Sequence, residues 1–161
     1  MKKRRLIALA ALLVASIGWI AWIFSAQWRF ATFLQSSCQD SSEVTLERYY
    51  QNTVLKRERL NPDQLTSQIS NLSPHLGRLR YSNSKCWIPH HRIFFRSHAR
   101  TEKLEICFTC DELWTEQTGR RKIPELWKEP LRDIFRAAKI SAAAPDWREA
   151  AEYLDKVYGS E

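Results

Sequence analysis

Glycine is scarce in this chain. Its four glycines, Gly18, Gly77, Gly119 and Gly159, stand too far apart to build a glycine-rich phosphate loop. Neither His-Glu-x-x-His nor Gly-x-Ser-x-Gly occurs, so the commonest zinc-hydrolase and serine-hydrolase signatures are missing too. No internal repeat or low-complexity tract is present, which argues against solenoids and arrays. Acidic residues are absent from the first 29 positions, whereas Lys2, Lys3, Arg4, Arg5 and Arg29 lie there. The formal charge of +7 is therefore local: five of the 25 bases precede residue 30, leaving 20 bases against 18 acids in the rest. Basic and acidic residues interleave through that body, so the sequence lacks the one-signed basic face that nucleic-acid binding requires.

The chain is rich in apolar mass. Its 161 residues include 7 Trp, 7 Phe and 5 Tyr, enough for the core of one domain. The longest uncharged run, Leu6 to Phe24, covers 19 residues directly behind the basic block. A helix rising about 1.5 Å per residue over that length crosses a hydrocarbon core of roughly 30 Å. The positive-inside rule keeps residues 1–5 cytoplasmic and exports the chain beyond the span. Trp19, Trp22 and Trp28 stand toward the exported end, where indole rings favour the headgroup interface. A cleaved signal peptide would have a shorter apolar run and small residues before the cut. Phe24 spoils a cut after Ala26, and one after Ser16 would leave a very apolar new terminus. An uncleaved anchor over residues 6–26 is the reading adopted, in a bacterial inner membrane, single-pass, with the C-terminal part facing the periplasm or exterior.

Residues 27–42 read as a juxtamembrane linker and 43–161 as an exported α+β domain, a small antiparallel sheet packed by two or three helices. Residues 44–60 suggest two short strands turning at Gln51-Asn52, with a helix as competitor. Asn61 and Pro62 open a helix with Leu65, Ile69 and Leu72 on one face, ended by Ser73-Pro74. The alternation of His91, Ile93 and Phe95, and of Leu104, Ile106, Phe108 and Cys110, predicts a hairpin. With a turn at Thr101-Glu102, Phe95 would face Phe108 and Ile93 would face Cys110. Pro124 opens a helix, interrupted near Pro130. Pro145 opens a last one with Trp147, Ala151, Leu154 and Tyr158 on one stripe.

Chemistry-bearing residues gather at one end of that hairpin: Cys86, His90, His91, Cys107 and Cys110, with Cys38 apart. Cys86, His91, Cys107 and Cys110 are the residue types of a tetrahedral zinc site, zinc being the one cofactor suggested. Cys107 and Cys110 point to opposite faces of a straight strand, so a shared metal needs a tight turn at Phe108-Thr109. An exported domain also meets an oxidising compartment, where a Cys86 bridge to Cys107 or Cys110 would staple the arms. A third reading is thiol–disulfide exchange at Cys107 and Cys110, disfavoured by Asp111-Glu112 immediately after. His75, His90 and His98 read as surface residues, Glu112 and Glu116 equally as an acid or base beside the cysteines or as a solvated strand edge, and Arg120-Arg121-Lys122 as a loop able to meet anionic headgroups.

The segments Cys86-Trp87-Ile88-Pro89-His90-His91 and Ile106-Cys107-Phe108-Thr109-Cys110 resemble those of a family of exported or membrane-anchored bacterial proteins. That family pairs Cys-x-x-Pro-(Arg/His)-His with a strand ending Ile-Cys-Phe-x-Cys. The resemblance implies that Cys86, Pro89, His91, Cys107 and Cys110 form the family's signature, and it implies no activity. The function expected is a membrane-tethered periplasmic binding protein with a cysteine-stabilised hairpin and a protein partner in the envelope. A metal-binding domain and an envelope thiol oxidoreductase are the alternatives.

Overall fold

The computed structural model describes the backbone of residues 2–72, 79–82 and 88–158; side chains are described for these except 2–6, 8–9, 22–24, 26–27, 31, 70–72 and 158. The chain is α+β. Among the described residues it has a six-stranded antiparallel sheet and four helices. Cys86, His75, Pro74 and Gly77 lie outside the described residues.

Helix α1 (Lys2–Asp40) comes first, followed by the hairpin β1 (Glu43–Tyr50) and β2 (Thr53–Leu60). The turn falls at Gln51-Asn52 as expected, with Gln51 at φ 51°. Helix α2 (Pro62–Leu72) starts where Asn61 accepts a hydrogen bond on Oδ1 from the Asp63 backbone N–H at 2.9 Å, an N-cap. The remaining strands are β3 (His91–Arg96), β4 (Thr101–Cys107), β5 (Glu112–Thr115) and β6 (Gly119–Lys122), followed by α3 (Glu125–Ala137) and α4 (Trp147–Tyr158). The sheet order is β2-β1-β3-β4-β5-β6, so α2 carries the chain past β1 and the rest is a meander.

Alternation along the strands sorts side chains by face. Val44, Leu46, Ile93, Phe95, Leu104, Ile106 and Leu113 line one face, covered by Phe30, Phe33, Leu34 and Cys38 of α1, Leu65 and Ile69 of α2, and Trp127, Leu131, Ile134 and Phe135 of α3. Ring contacts tie these layers together: Phe30 lies 5.3 Å from Trp127 and Phe33 lies 5.9 Å from Phe95. The opposite face carries charge. On it Glu47, almost wholly buried, accepts from Arg57 and Arg92 at 2.5 Å each, and the Arg92 guanidinium lies over the Tyr49 ring at 4.3 Å.

Several expectations need correction. Residues 27–42 are no linker: helix continues to Asp40, and four of its apolar side chains belong to the core. In the β3–β4 hairpin the turn lies at residues 97–100, so Phe95 pairs with Glu102 and Ile93 with Leu104, in place of Phe108 and Cys110. The slip is by an even number of positions, which is why Ile93, Phe95, Leu104 and Ile106 keep the expected face. Helix α3 runs through Pro130 without a break. That proline removes only the bond to the carbonyl of Leu126, an exposed position where water can replace it.

Strands β5 and β6 replace the expected solvated edge and loop. Their turn closes on Gly119 at φ +65°, the left-handed position that ends a three-residue hairpin loop. Glu112 is fully buried, held by Lys122 at 3.0 Å and by a hydrogen bond from the Ser82 hydroxyl. On α4 the expected apolar stripe is largely outward, with Trp147 and Leu154 exposed and Ala150 buried instead. Among the described residues no helix is long and apolar enough to cross a membrane.

Candidate binding cleft at the β4–β5 turn

The turn Phe108–Asp111 joins β4 to β5, with Asp111 in the left-handed region at φ 51°. This is the bend at Phe108-Thr109 that a shared metal would need. It folds because Asp111 tolerates positive φ and because its neighbours are tied down. The Ile123 N–H donates to the Asp111 carbonyl at 2.8 Å, Lys122 Nζ donates to the Cys110 carbonyl at 2.8 Å, and Lys128 pairs with the Asp111 carboxylate at 2.8 Å.

The turn sends Phe108 to the helix side, where it packs edge-on against His91 at 4.9 Å and Phe135 at 5.6 Å. His91, also 5.1 Å from Phe135, is about 1% exposed. Its Nε2–H donates to the Ser141 carbonyl at 2.7 Å, because a carbonyl can only accept. Nδ1 then carries a bare lone pair with no hydrogen-bond partner among the described residues. Burial first, then the nearby Arg48 and His90 charges, push His91 down to about 4 against the opposing Ser141 bond, so the ring is neutral at ordinary pH.

Cys107 goes the other way. Its register partner is Glu112, while the partner of His91 is Ile106, so Cys107 and His91 project from opposite faces of the sheet. Cys107 is buried beside Tyr49 on the charged face, and Cys110 sits half-buried in the turn. The structure thus brings His91 to Phe108 and the helices, and does not bring it to Cys107. Among the described residues no group of three or more His, Cys, Asp or Glu side chains is arranged to hold a metal. Cys38 lies far from this end, buried under α2, where burial raises its thiol to about 11 against a lowering hydrogen bond with Thr66. His90 is half-buried, stacked on Tyr50, with Nδ1 3.3 Å from the Tyr49 carbonyl. His98 is exposed in the β3–β4 turn.

Beside Phe108 a cleft of about 560 Å³ opens between the turn, the C-terminal half of α3 and residues 141–144. Its charged wall is Glu129, Arg132 and Arg136: Glu129 pairs with Arg132 at 2.6 Å and Arg136 at 3.0 Å, and Arg132 also lies 5.6 Å over the Phe108 ring. The opposite wall is Ser141 and three alanines. Arg48 anchors that wall from below, donating from Nε to the Ala143 carbonyl at 3.1 Å and pairing with Glu149 of α4. Sequence reasoning missed Arg132, Arg136 and the Ser141–Ala144 wall. Their arginines carry no motif, and small residues after a helix signal nothing until the chain folds back. Comparison with protein-family models, with curated proteins and with solved structures finds no match for this chain.

Proposed function

We propose that this protein is a membrane-tethered binding protein of the bacterial envelope, anchored by the first half of α1, with its domain on the side away from the cytoplasm. The observation that carries the reading is the division of one helix into two environments. Phe30, Phe33, Leu34 and Cys38 are built into the core, whereas Leu12, Leu13, Val14, Ile17 and Ile20 of the same helix are exposed, each by half or more of its surface. A row of large apolar side chains with no protein against it is stable only where something other than water covers it. The uncharged run Leu6–Phe24 has the length of a bilayer core, and the basic block before it orients the chain.

Partner recognition then falls to the cleft at the β4–β5 turn. It lies at the opposite end of α3 from Trp127, against which Phe30 of the tether packs. Its walls combine an aromatic ring, the Glu129–Arg132–Arg136 ion-pair network and a surface of small residues, a set suited to a peptide segment presenting a short side chain and polar backbone groups. Cys107 and His91 stand on opposite faces of the sheet, which separates two of the four residues suited to zinc.

The test is fractionation of cells expressing the full chain. The protein should stay with membranes through a high-salt and an alkaline wash and leave only in detergent. Replacing Leu13 and Ile17 by arginine, each costing about 2.5–3.5 kcal/mol at the centre of a span, should release it. A wild-type chain recovered in the soluble fraction would end the tether reading. A C-terminal reporter active only outside the cytoplasm checks the orientation.

A further inference from the structure

Arg29 and Arg121 come from distant parts of the chain and lie on the β6 side of the sheet, Arg121 within β6 and Arg29 in a groove with Gln117 of the β5–β6 turn. Arg121 shares a face with its register partner Leu113, so it points toward α1, where Arg29 stands one residue ahead of the buried Phe30. Burial and then the Arg29 charge both disfavour the protonated Arg121, partly offset by Tyr81, whose ring lies 5.3 Å from the guanidinium. Among the described residues no carboxylate pairs with Arg29, Arg121 or the exposed Arg80. The carboxylate that lines a groove with Arg29 is Glu102, which accepts hydrogen bonds from Ser37 and Gln117 and pairs with Arg100 at 3.6 Å, while Glu112, on the other face of the sheet from Arg121, pairs with Lys122 and Arg120. Arg121 Nε is buried without a hydrogen-bond partner among the described residues. Two like charges on the same side of the sheet, one of them with an unsatisfied donor, call for an anion from outside.

The height of the pair along α1 says where that anion comes from. Arg29 lies five residues beyond Phe24, the end of the apolar run. At a rise of about 1.5 Å per residue this is roughly 7 Å, and the headgroup layer extends about 5–8 Å beyond the hydrocarbon on each side. Exposed aromatics flank the pair, Trp28 at 75% and Tyr81 at 68% exposure, the amphipathic rings that settle at that level. A groove of about 250 Å³ opens next to Arg29 between Trp28 and Thr32 of α1, Gln117 of the β5–β6 turn, and Arg100 and Glu102 at the start of β4, the Glu102 carboxylate being already bonded to Ser37 and Gln117.

We propose that Arg29 and Arg121, flanked by Trp28 and Tyr81, form a site that holds the phosphate of an anionic phospholipid headgroup against the β6 edge of the domain. The proposal rests on the reading of α1 as a membrane anchor. Guanidinium forks match phosphate geometry, and the bound phosphate satisfies Arg121 Nε while removing the repulsion between the arginines. The domain is thereby seated edge-on at the bilayer, with the cleft at the far end of α3 turned outward.

The test uses the full chain in detergent micelles, titrated with dioctanoyl phosphatidylglycerol, dioctanoyl phosphatidylcholine or inorganic phosphate while thermal unfolding is followed by tryptophan fluorescence. Phosphatidylglycerol should raise the melting temperature saturably and phosphatidylcholine should not. Arg29→Gln and Arg121→Gln should each weaken the apparent affinity about fivefold. Arg121→Lys, which keeps the charge and loses the fork, should fall between. Lys56→Gln, which removes the same charge from the opposite edge strand β2, should change nothing. Equal responses to the two lipids, or unchanged affinity in both glutamine variants, would overturn the site; an equal response to inorganic phosphate would overturn its assignment to lipid. Flotation separates this from the anchor. A chain that floats with phosphatidylcholine vesicles but shows no preference for phosphatidylglycerol loses the headgroup site alone, and one that does not float loses both.

Discussion

His91 shows how a single side chain acquires a role from its surroundings. Its ring is packed between Phe108 and Phe135, with one nitrogen bonded and the other without a partner among the described residues. A proton on Nδ1 would be a charge in that pocket with no acceptor. The folded-state value of about 4 lies below the ordinary 6.5, so between these pH values the unfolded chain binds more protons than the folded one. Stability contributed by the neutral ring is therefore fully present above pH 6.5 and is lost as pH falls toward 4. The loss is on the order of 3 kcal/mol. Denaturant midpoints of the full chain in micelles, wild type against His91→Phe, should diverge over that window. Identical pH slopes in the two would remove His91 from the account. The thiols give a second residue-scale expectation. Cys38 and Cys107 are buried, and burial keeps Cys38 protonated at neutral pH, so neither should be alkylated by iodoacetamide until the domain is unfolded. Rapid native labelling of Cys107 would revive the thiol-exchange reading.

Elements show what local signals can and cannot carry. Asn61-Pro62 announced α2 because capping is decided within four residues, and the alternation of Ile93, Phe95, Leu104 and Ile106 announced their face because a strand's period is local. Register was not legible there, since Ser97–Arg100 carries no Asn-Gly type signal; the turn is closed by Ser97–Arg100 hydrogen bonds and the pairing is packed by Phe95 against Phe33. The continuation of α1 past the apolar run was hidden in the same way. Ser36, Ser37 and Ser41 suggest a polar linker, yet each spends its hydroxyl on a neighbour: Ser36 on the Phe33 carbonyl, Ser37 on Glu102 and Ser41 on the Ser37 carbonyl. That continuity has two measurable outcomes. Phe30→Ala should cost about 3–5 kcal/mol of domain stability by opening a cavity against Trp127. A fragment beginning at Ser41 should be recovered unfolded or aggregated, and one beginning at Gln27 folded, as judged by near-ultraviolet circular dichroism. A well-folded Ser41 fragment would return residues 27–40 to the status of a linker. On the charged face, Arg92→Ala should cost about 1.5–3 kcal/mol, because Glu47 keeps only Arg57 and stays buried.

At the scale of the whole molecule the sheet is a divider. One side is apolar and takes three helices; the other buries Glu47 and Glu112 among arginines, a lysine and Tyr49. Cys107 and His91 were adjacent possibilities in a linear reading and became separated by the thickness of that divider. Arg29 and Arg121 moved in the opposite direction, from unrelated positions to one side of the sheet. The sequence by itself determined whatever depends on neighbours in the chain. That includes the apolar run with its basic flank, the α+β class, the β1–β2 turn, the cap of α2 and the inward faces of β3 and β4. Tertiary structure alone decided the register, the length of α1, the burial of Glu112 and which ionisable groups face one another. These depend on contacts between residues far apart in sequence, where an even slip or a folded-back loop leaves every local pattern unchanged.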